Sequence, residues 1–244
     1  MDTDPYLHLP LLRGCLTPAA DSALRVTPQA LATWDRDALA RCLPPDWRWS
    51  EQQIEASRCA VLGDAPPQDD LWVFGYGSLM WDPAVHFSEV RRAELAGHAR
   101  RFSYKTQMGR GTPERPALML ALETGADDCC HGLVFRIPRA LAAEESAMLW
   151  RREMVRGGYR PQRLPVHTPQ GPVQALAFLS NPAHLGYIGE LPLQASAEII
   201  AAATGQLGRN RDYLRQLDQQ LLRLGIDDPY IHQLWAAVQA LSPE

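Results

Sequence analysis

Strand-like segments follow one another between residues 71 and 137, and no helical segment separates them. They cover residues 71–76, 85–95, 99–106, 117–123 and 130–137. The segment Gly125-Ala126-Asp127-Asp128 is predicted to form a hairpin turn between the last two strands. A doubly wound sheet needs helices that alternate with its strands, so this order favours an α+β fold. We predict a small closed β-barrel flanked by helices.

The chain divides into a proline-punctuated N-terminal part and a main body. Helices are predicted near residues 28–42 and from 49 to 62, the second with Ser50 as its N-cap. The turn-rich sequence DAPPQDD then leads into the main body. Later helices are predicted for residues 139–156, 193–204, 210–224 and 229–241.

Composition narrows the class of protein. The 244 residues carry a net charge of −4 with the two signs interspersed, unlike the basic surface of a nucleic-acid-binding protein. No apolar run reaches the roughly 18 residues of a membrane span, and the acidic, proline-containing N-terminus is unlike a secretory signal. The five cysteines are odd in number and irregularly spaced, which favours reduced thiols in a cytoplasmic protein. The seven histidines form no metal-ligand pattern, so no metal is expected.

The apolar run LWVFGYGSLMW is interrupted by two glycines, which raises three possible interpretations. A dinucleotide-binding loop needs a third glycine where this chain has Met80, and a nucleophile elbow needs glycines where it has Tyr76 and Met80. Both interpretations fail. The glycines leave the backbone N–H groups of Gly77, Ser78 and Leu79 without side-chain cover, as a binding site for an anion or an oxyanion requires. An ordinary glycine turn at the end of a strand is the alternative.

Glu153 lies in the last turn of a strongly helical segment. Helical spacing places it against Leu149 and Trp150, and the partial negative charge at a helix C-terminus disfavours an ionised carboxylate. Both effects predict a raised pKa, which suits a group that accepts and returns a proton near neutral pH. The neighbouring arginines oppose this effect, and a solvated ion pair of Glu153 with Arg152 or Arg156 is the alternative.

Five sequence blocks between residues 71 and 224 carry a family resemblance. They read, in chain order, WVFGYGSLMW, RRFSYKTQMGRGTPERPALMLAL, GLVFRIP with the following MLWRREMVRGGYRP, NPAHLGYIGELPL, and AAATGQLGRNRDYL. Together they resemble the ChaC family of glutathione-specific γ-glutamylcyclotransferases. Such a sequence of ordered blocks is far more specific than any single motif. The resemblance favours the functional interpretations of the glycine loop and of Glu153.

The resemblance implies a fold, a domain boundary and a reaction. The family has a small mixed β-barrel flanked by helices, which would occupy residues 71–244, and bacterial members carry an N-terminal helical extension, here residues 1–70. In the family's reaction the α-amine of a γ-glutamyl group attacks its own γ-carbonyl, which releases 5-oxoproline and Cys-Gly from glutathione. No cofactor takes part. Glu153 matches the family's glutamate, which removes a proton from the attacking amine and supplies one to the departing amine.

The resemblance also implies which residues bind the substrate. The family's substrate loop corresponds to Gly75, Tyr76, Gly77, Ser78, Leu79 and Met80. Because the attacking atom belongs to the substrate, Ser78 is expected to bind rather than to act as a nucleophile.

Three further residues are predicted to contact the substrate. Tyr187 and Tyr159 lie in matched blocks and are candidate hydrogen-bond donors, although packing is the alternative for each. Arg110 is a candidate partner for the glycyl carboxylate of glutathione, although a solvated loop arginine is the alternative. Ser103 stands where some family members have tryptophan, so the fit of the substrate on that side is expected to differ.

Two alternative functions are compatible with the same residues. One is a non-catalytic sensor of γ-glutamyl peptides that regulates a partner, and the other is a cyclotransferase for a different γ-glutamyl compound. A desolvated carboxylate is of little use to a pure binding protein, so Glu153 favours the enzyme.

Overall fold

The structure is a computed structural model that describes residues 4–40, 44, 46–65 and 67–241. The chain forms two compact units. The first consists of Met1–Leu95 and Gly132–Leu179, and the second consists of Ala96–His131 and Ser180–Glu244.

The elements confirm a mixed α+β fold. The helices are α1 (Pro28–Ala40), α2 (Glu51–Leu62), α3 (Arg139–Glu153), α4 (Leu193–Ala202), α5 (Asn210–Leu224) and α6 (Pro229–Leu241). The strands are β1 (Leu71–Gly75), β2 (Glu89–Thr106), β3 (Ala117–Ile137), β4 (Tyr159–Val166), β5 (Val173–Ser180), β6 (Thr204–Gly205) and β7 (Gly208–Arg209). A short 3₁₀ helix at Ser78–Met80 follows β1. No helix in the described ranges is long and apolar enough to cross a membrane.

A five-stranded sheet with the order β2-β3-β1-β5-β4 organises the fold. The short central strand β1 pairs antiparallel with β3, with Leu71 opposite Ile137, and parallel with β5, with Trp72 opposite Ala175. The edge strands are β2 and β4. The backbone of Glu94 in β2 exchanges two hydrogen bonds of 2.9 Å with His167, which lies just beyond β4.

The hairpin turn predicted at Gly125-Ala126-Asp127-Asp128 is wrong. These residues lie within β3, which runs without interruption for 21 residues, and β2 is likewise one strand of 18 residues. Strands β2 and β3 are neighbours in the sheet, and hydrogen bonds between them pair the backbone N–H and C=O groups. The chain therefore continues as a strand through these residues and forms no turn. Gly97 in β2 has a φ of +72°, a left-handed conformation that favours glycine, and a Cβ at this position would lie 4.0 Å from the carbonyl oxygen of Gly125.

Helix α3 is held in the first unit by α2 and by the sheet. The Trp150 ring is buried edge-on against Phe178, with ring centroids 5.3 Å apart, and its indole N–H donates to Ser57 in α2 at 3.3 Å. The predicted N-cap of α2 is confirmed, because Ser50 forms a reciprocal capping box with Gln53. These contacts fix the orientation of the helix that ends at Glu153.

The helices α4, α5 and α6 pack together in the second unit. Helix α5 begins and ends as predicted, and Gly225 closes it in the left-handed conformation. The side chain of Asn210 donates to the Leu118 carbonyl at 3.0 Å and accepts from its N–H at 2.9 Å, so it acts as a strand partner for β3. The two-residue strands β6 and β7 were not predicted from the sequence.

We predict that Gly132→Ala destabilises the protein by about 2 to 3 kcal/mol, because a Cβ at this position would lie 2.3 Å from the Gly75 carbonyl oxygen. Gly14→Ala is a suitable comparison, since Gly14 has open space around it and its φ of +69° adds only backbone strain of roughly 1 kcal/mol. Urea denaturation measures both free energies of unfolding. Equal losses of stability in the two variants would contradict the predicted close contact.

Candidate active site

The glycine loop leaves β1 at Gly75 and enters the 3₁₀ helix. Glycine is favoured at the start of the loop, because a Cβ on Gly75 would make tight contacts, 3.0 Å from the Leu79 Cβ and 3.3 Å from the Phe135 ring. The N–H groups of Gly77, Ser78 and Leu79 have no hydrogen-bond partner in the described part of the chain. Three donors at the start of a helical turn form a region of positive potential that suits an anion.

The larger side chains of the loop pack into the hydrophobic core. Leu79 and Met80 are buried, and the hydroxyl of the buried Tyr76 donates to the Phe178 carbonyl at 2.8 Å. Only the backbone of these three residues is therefore available to a ligand. Ser78 differs, because its hydroxyl is partly exposed and accepts a hydrogen bond from Arg152 at 2.8 Å.

Glu153 is the last residue of α3, and 17% of its side chain is exposed. Burial raises the pKa of the Glu153 carboxyl, and the attraction of Arg152 opposes this shift without cancelling it. Arg152 Nε lies 3.0 Å from Glu153 Oε1. The direction of the pKa shift agrees with the sequence-based prediction.

The Arg152 side chain joins Glu153 to the glycine loop. Besides its contact with the carboxylate, Nη2 donates to Ser78 Oγ at 2.8 Å and Nη1 donates to the Asp82 carbonyl at 2.7 Å. From the sequence, Arg152 is expected to favour the ionised form of Glu153 and is one of two candidate ion-pair partners on a solvated surface. Its position beside Glu153 in the RRE sequence was visible, but the distant loop that it binds was not.

The chain beyond Glu153 turns sharply toward β4. Gly157 has a φ of +66°, and the Trp49 indole occupies the space where its Cβ would lie. Tyr159 starts β4 and packs against the core cluster that contains Trp150. This position supports the packing alternative for Tyr159.

Tyr187 belongs to the second unit, where its hydroxyl donates to Glu123 Oε2 at 3.3 Å. Ser180 donates to the same oxygen at 2.7 Å, and Ser103 donates to the other one. The pKa of Tyr187 is raised by burial and then by the Glu123 charge. The Tyr104 ring packs edge-on against the Tyr187 ring. The sequence did not predict Glu123 as a partner of Tyr187, because its position at the end of a strand-like run carries no signal.

Arg110 also belongs to the second unit and is held in its loop by other groups. Its Nη1 donates to the Arg209 carbonyl at 2.9 Å, and its guanidinium lies 5.7 Å from the centre of the Tyr213 ring. Burial lowers the pKa of the Arg110 guanidinium. The side chain is therefore ordered by contacts within its own unit rather than solvated as a loose loop arginine.

The described cysteines are thiols. Cys15, Cys59, Cys129 and Cys130 form no disulfide, and Cys42 lies outside the described residues. Cys129 is exposed and Cys130 is buried, and burial raises the pKa of the Cys130 thiol to about 11. Within the described ranges, no group of three or more His, Cys, Asp or Glu residues is arranged to hold a metal ion.

Comparison with known proteins identifies close relatives of this chain. The glutathione-specific γ-glutamylcyclotransferase of Escherichia coli (strain K12) is 39% identical over 197 residues, which cover 80% of this chain and 84% of the relative. The human glutathione-specific γ-glutamylcyclotransferase 1 is 32% identical over 185 residues, which cover 74% of this chain and 83% of the relative.

A solved structure shares the fold. The crystal structure of a yeast γ-glutamyl cyclotransferase specific to glutathione aligns with a TM-score of 0.66 at 24% sequence identity, over 71% of this chain and 97% of the yeast chain. The family model of ChaC-like proteins matches residues 71–241. The chain therefore belongs to the ChaC-like family.

Proposed function

We propose that this protein is a glutathione-specific γ-glutamylcyclotransferase, which converts glutathione into 5-oxoproline and Cys-Gly. The Escherichia coli and human relatives, which are glutathione-specific γ-glutamylcyclotransferases, support the substrate and the reaction. The observation that carries the mechanism is the buried carboxyl of Glu153, which a single arginine links to a loop with unpartnered N–H groups.

Glu153 acts as the general base and then as the general acid. The substrate's α-ammonium loses a proton to the Glu153 carboxylate, and the resulting amine attacks the γ-carbonyl carbon. The new C–N bond closes a five-membered ring, and the carbonyl oxygen becomes an oxyanion. Glu153 then gives its proton to the nitrogen of Cys-Gly, and the oxyanion re-forms the carbonyl as the old C–N bond breaks. The ring nitrogen, left with two hydrogens and a positive charge, gives one proton to the Glu153 carboxylate, which passes it to the amine of Cys-Gly. The raised pKa of Glu153 suits both transfers.

The loop N–H groups bind the negative charges of the substrate. Gly77, Ser78 and Leu79 supply donors to the α-carboxylate or to the oxyanion, and the Ser78 hydroxyl keeps its hydrogen for donation because it accepts from Arg152. Holding the glutamyl chain in a folded conformation brings the amine close to the carbonyl, which lowers the entropic part of the barrier. The other loop residues, Gly75, Tyr76 and Met80, contact the substrate only through their backbone and hold the loop in position.

Tyr187, Tyr159 and Arg110 are retained as proposed substrate contacts. The Glu123 carboxylate accepts the one hydrogen of the Tyr187 hydroxyl, which orients the hydroxyl oxygen to accept a hydrogen bond from the substrate. The carbonyl of Arg209 orients Arg110, whose other N–H groups remain donors. Tyr159 is the weakest of the three candidates for a substrate contact, because it packs against the core.

We also propose a barrel, a domain boundary and a cellular location. The hydrogen-bonded pair of Glu94 and His167 links the edge strand β2 to the residue that follows the other edge strand, β4, which supports a small closed barrel. The match of the family model from residue 71 supports a catalytic domain at 71–244 with an extension at 1–70. The composition supports a cytoplasmic protein with no nucleic-acid or membrane partner.

Glu153→Gln is expected to lower kcat by roughly a hundredfold to ten-thousandfold, since it removes the group that transfers both protons. The assay measures 5-oxoproline and Cys-Gly from reduced glutathione, with Glu198→Gln, an exposed glutamate in α4, as the matched control. Equal amounts of both products are expected from the wild type. Full turnover by Glu153→Gln would refute the mechanism. For the wild-type protein, release of free glutamate would indicate a hydrolase, and the absence of product would favour a sensor or another γ-glutamyl substrate.

Arg152→Met is expected to move the acidic limb of the kcat/KM profile to higher pH. Arg152 favours the ionised form of Glu153, so its removal raises the pKa of the carboxyl further and leaves less base at neutral pH. Activity should therefore recover partly as the pH rises. A profile that keeps its wild-type midpoint would show that Arg152 does not set the ionisation of Glu153.

Tyr187→Phe is expected to raise KM for glutathione by about tenfold, because it removes an ordered hydroxyl oxygen that accepts a hydrogen bond from the substrate. Tyr159→Phe serves as the comparison and should change KM less, since Tyr159 packs against the core. Steady-state kinetics measures both values. A larger effect at Tyr159 would reverse this assignment.

A further inference from the structure

The N-terminal extension contacts the segment that leaves the glycine loop. The N–H of Thr17 donates to the Trp81 carbonyl at 2.9 Å, and the Ser22 hydroxyl donates to Asp82 Oδ1 at 2.6 Å. All of these residues lie in the first unit, and the two from the extension precede the family match at residue 71. The extension therefore reaches the loop region directly.

Among the residues of the extension, Arg25 makes the most extensive set of contacts with this region. Its guanidinium forms a bidentate ion pair with Glu145 in α3, at 2.6 and 2.8 Å, and Nη1 also donates to the Ala84 carbonyl at 2.9 Å. The Glu145 side chain is only 1% exposed and that of Arg25 15%. Paired, largely desolvated charges of this kind hold a defined geometry.

The backbone that Arg25 binds is strained. Ala84 has a φ of +57° and is the one non-glycine residue with a positive φ in the described part of the chain. An L-residue adopts this conformation at a cost that surrounding contacts must offset. The bond from Arg25 to the Ala84 carbonyl is such a contact.

Two guanidinium groups from different parts of the chain thus bind the short segment at residues 82–84. Arg152, next to Glu153, binds the carbonyl of Asp82, and Arg25, from the extension, binds the carbonyl of Ala84. The Asp82 N–H in turn donates to the Ser78 carbonyl at 2.8 Å, which connects the segment to the loop.

We propose that Arg25 is a positioning residue for the active site. It fixes residues 82–84 through the Ala84 carbonyl, and the N-terminal extension thereby sets the geometry of the loop that binds the substrate. This inference rests on the proposed function of the loop. It assigns to a segment outside the family match a role in the affinity for the substrate.

The test compares Arg25→Gln/Glu145→Gln with Glu145→Gln alone. Arg25→Gln by itself would leave a buried carboxylate without its partner and is prone to unfolding, whereas the paired variant is neutral on both sides. Both variants lose the ion pair with Glu145. In Glu145→Gln the Arg25 guanidinium keeps the Glu144 carboxylate, 3.6 Å away, and the Ala84 carbonyl as partners, and only the double variant loses the charged donor to Ala84. Relative to Glu145→Gln, we expect KM for glutathione to rise about tenfold in the double variant and kcat to change less than threefold.

Adding Ala84→Gly to the double variant distinguishes positioning from general stability. Glycine adopts a positive φ without strain, so the segment can keep its conformation without Arg25. We expect this triple variant to recover at least half of the lost affinity. Arg13→Ala, which removes a surface ion pair with Asp4 in the same extension, is the control and should match the wild type.

Amide hydrogen exchange gives a readout that does not depend on turnover. The N–H groups of Trp81 and Asp82, which donate to the Ser78 carbonyl, should exchange about tenfold faster in the double variant than in Glu145→Gln. Inactive wild-type protein would refute the proposed function, while the exchange comparison would still test the positioning role. Unchanged KM together with unchanged exchange at these amides would overturn the proposal.

Discussion

The site depends on one buried side chain, the guanidinium of Arg152. It contacts the Glu153 carboxylate, the Ser78 hydroxyl and the Asp82 carbonyl at once, with distances of 2.7 to 3.0 Å. A flexible lysine supplies no comparable planar set of donors. These contacts join the end of α3 to the loop after β1, so a single side chain links the candidate base to the candidate oxyanion site. The packing of α3 against α2 then holds that group in place.

The electrostatic balance at Glu153 is the physical basis of the proposed chemistry. Burial disfavours the charged carboxylate more strongly than Arg152 favours it, so the pKa is raised. The native state therefore binds this proton more tightly than the unfolded chain does. The stabilising contribution is present at low pH and is lost as the pH rises from the unfolded pKa through the folded one. The site is thus least stable in the ionised form that the reaction needs, as expected for a functional carboxyl.

The sequence predicted the local parts of this arrangement and missed the distant ones. Helical periodicity located Glu153 at the end of α3, and two glycines marked the uncovered N–H groups, because both signals lie within a few residues. The turn at Gly125-Ala126-Asp127-Asp128 was wrong, because pairing with β2 outweighs local turn propensity. The links from Arg152 to Ser78, 74 residues away, and from Tyr187 to Glu123 depend on tertiary packing that no local pattern encodes.

The most direct measurement is a titration of the Glu153 carboxyl itself. Carbon-13 NMR of protein labelled at glutamate carboxyls, with Glu153→Gln to assign the resonance, reports its pKa in the free enzyme. The account predicts that the pKa of Glu153 lies above those of ordinary exposed glutamate carboxyls in the same spectra. A midpoint at or below theirs would show that the ion pair with Arg152 dominates, and Glu153 would then be a structural carboxylate rather than a group that exchanges protons with the substrate.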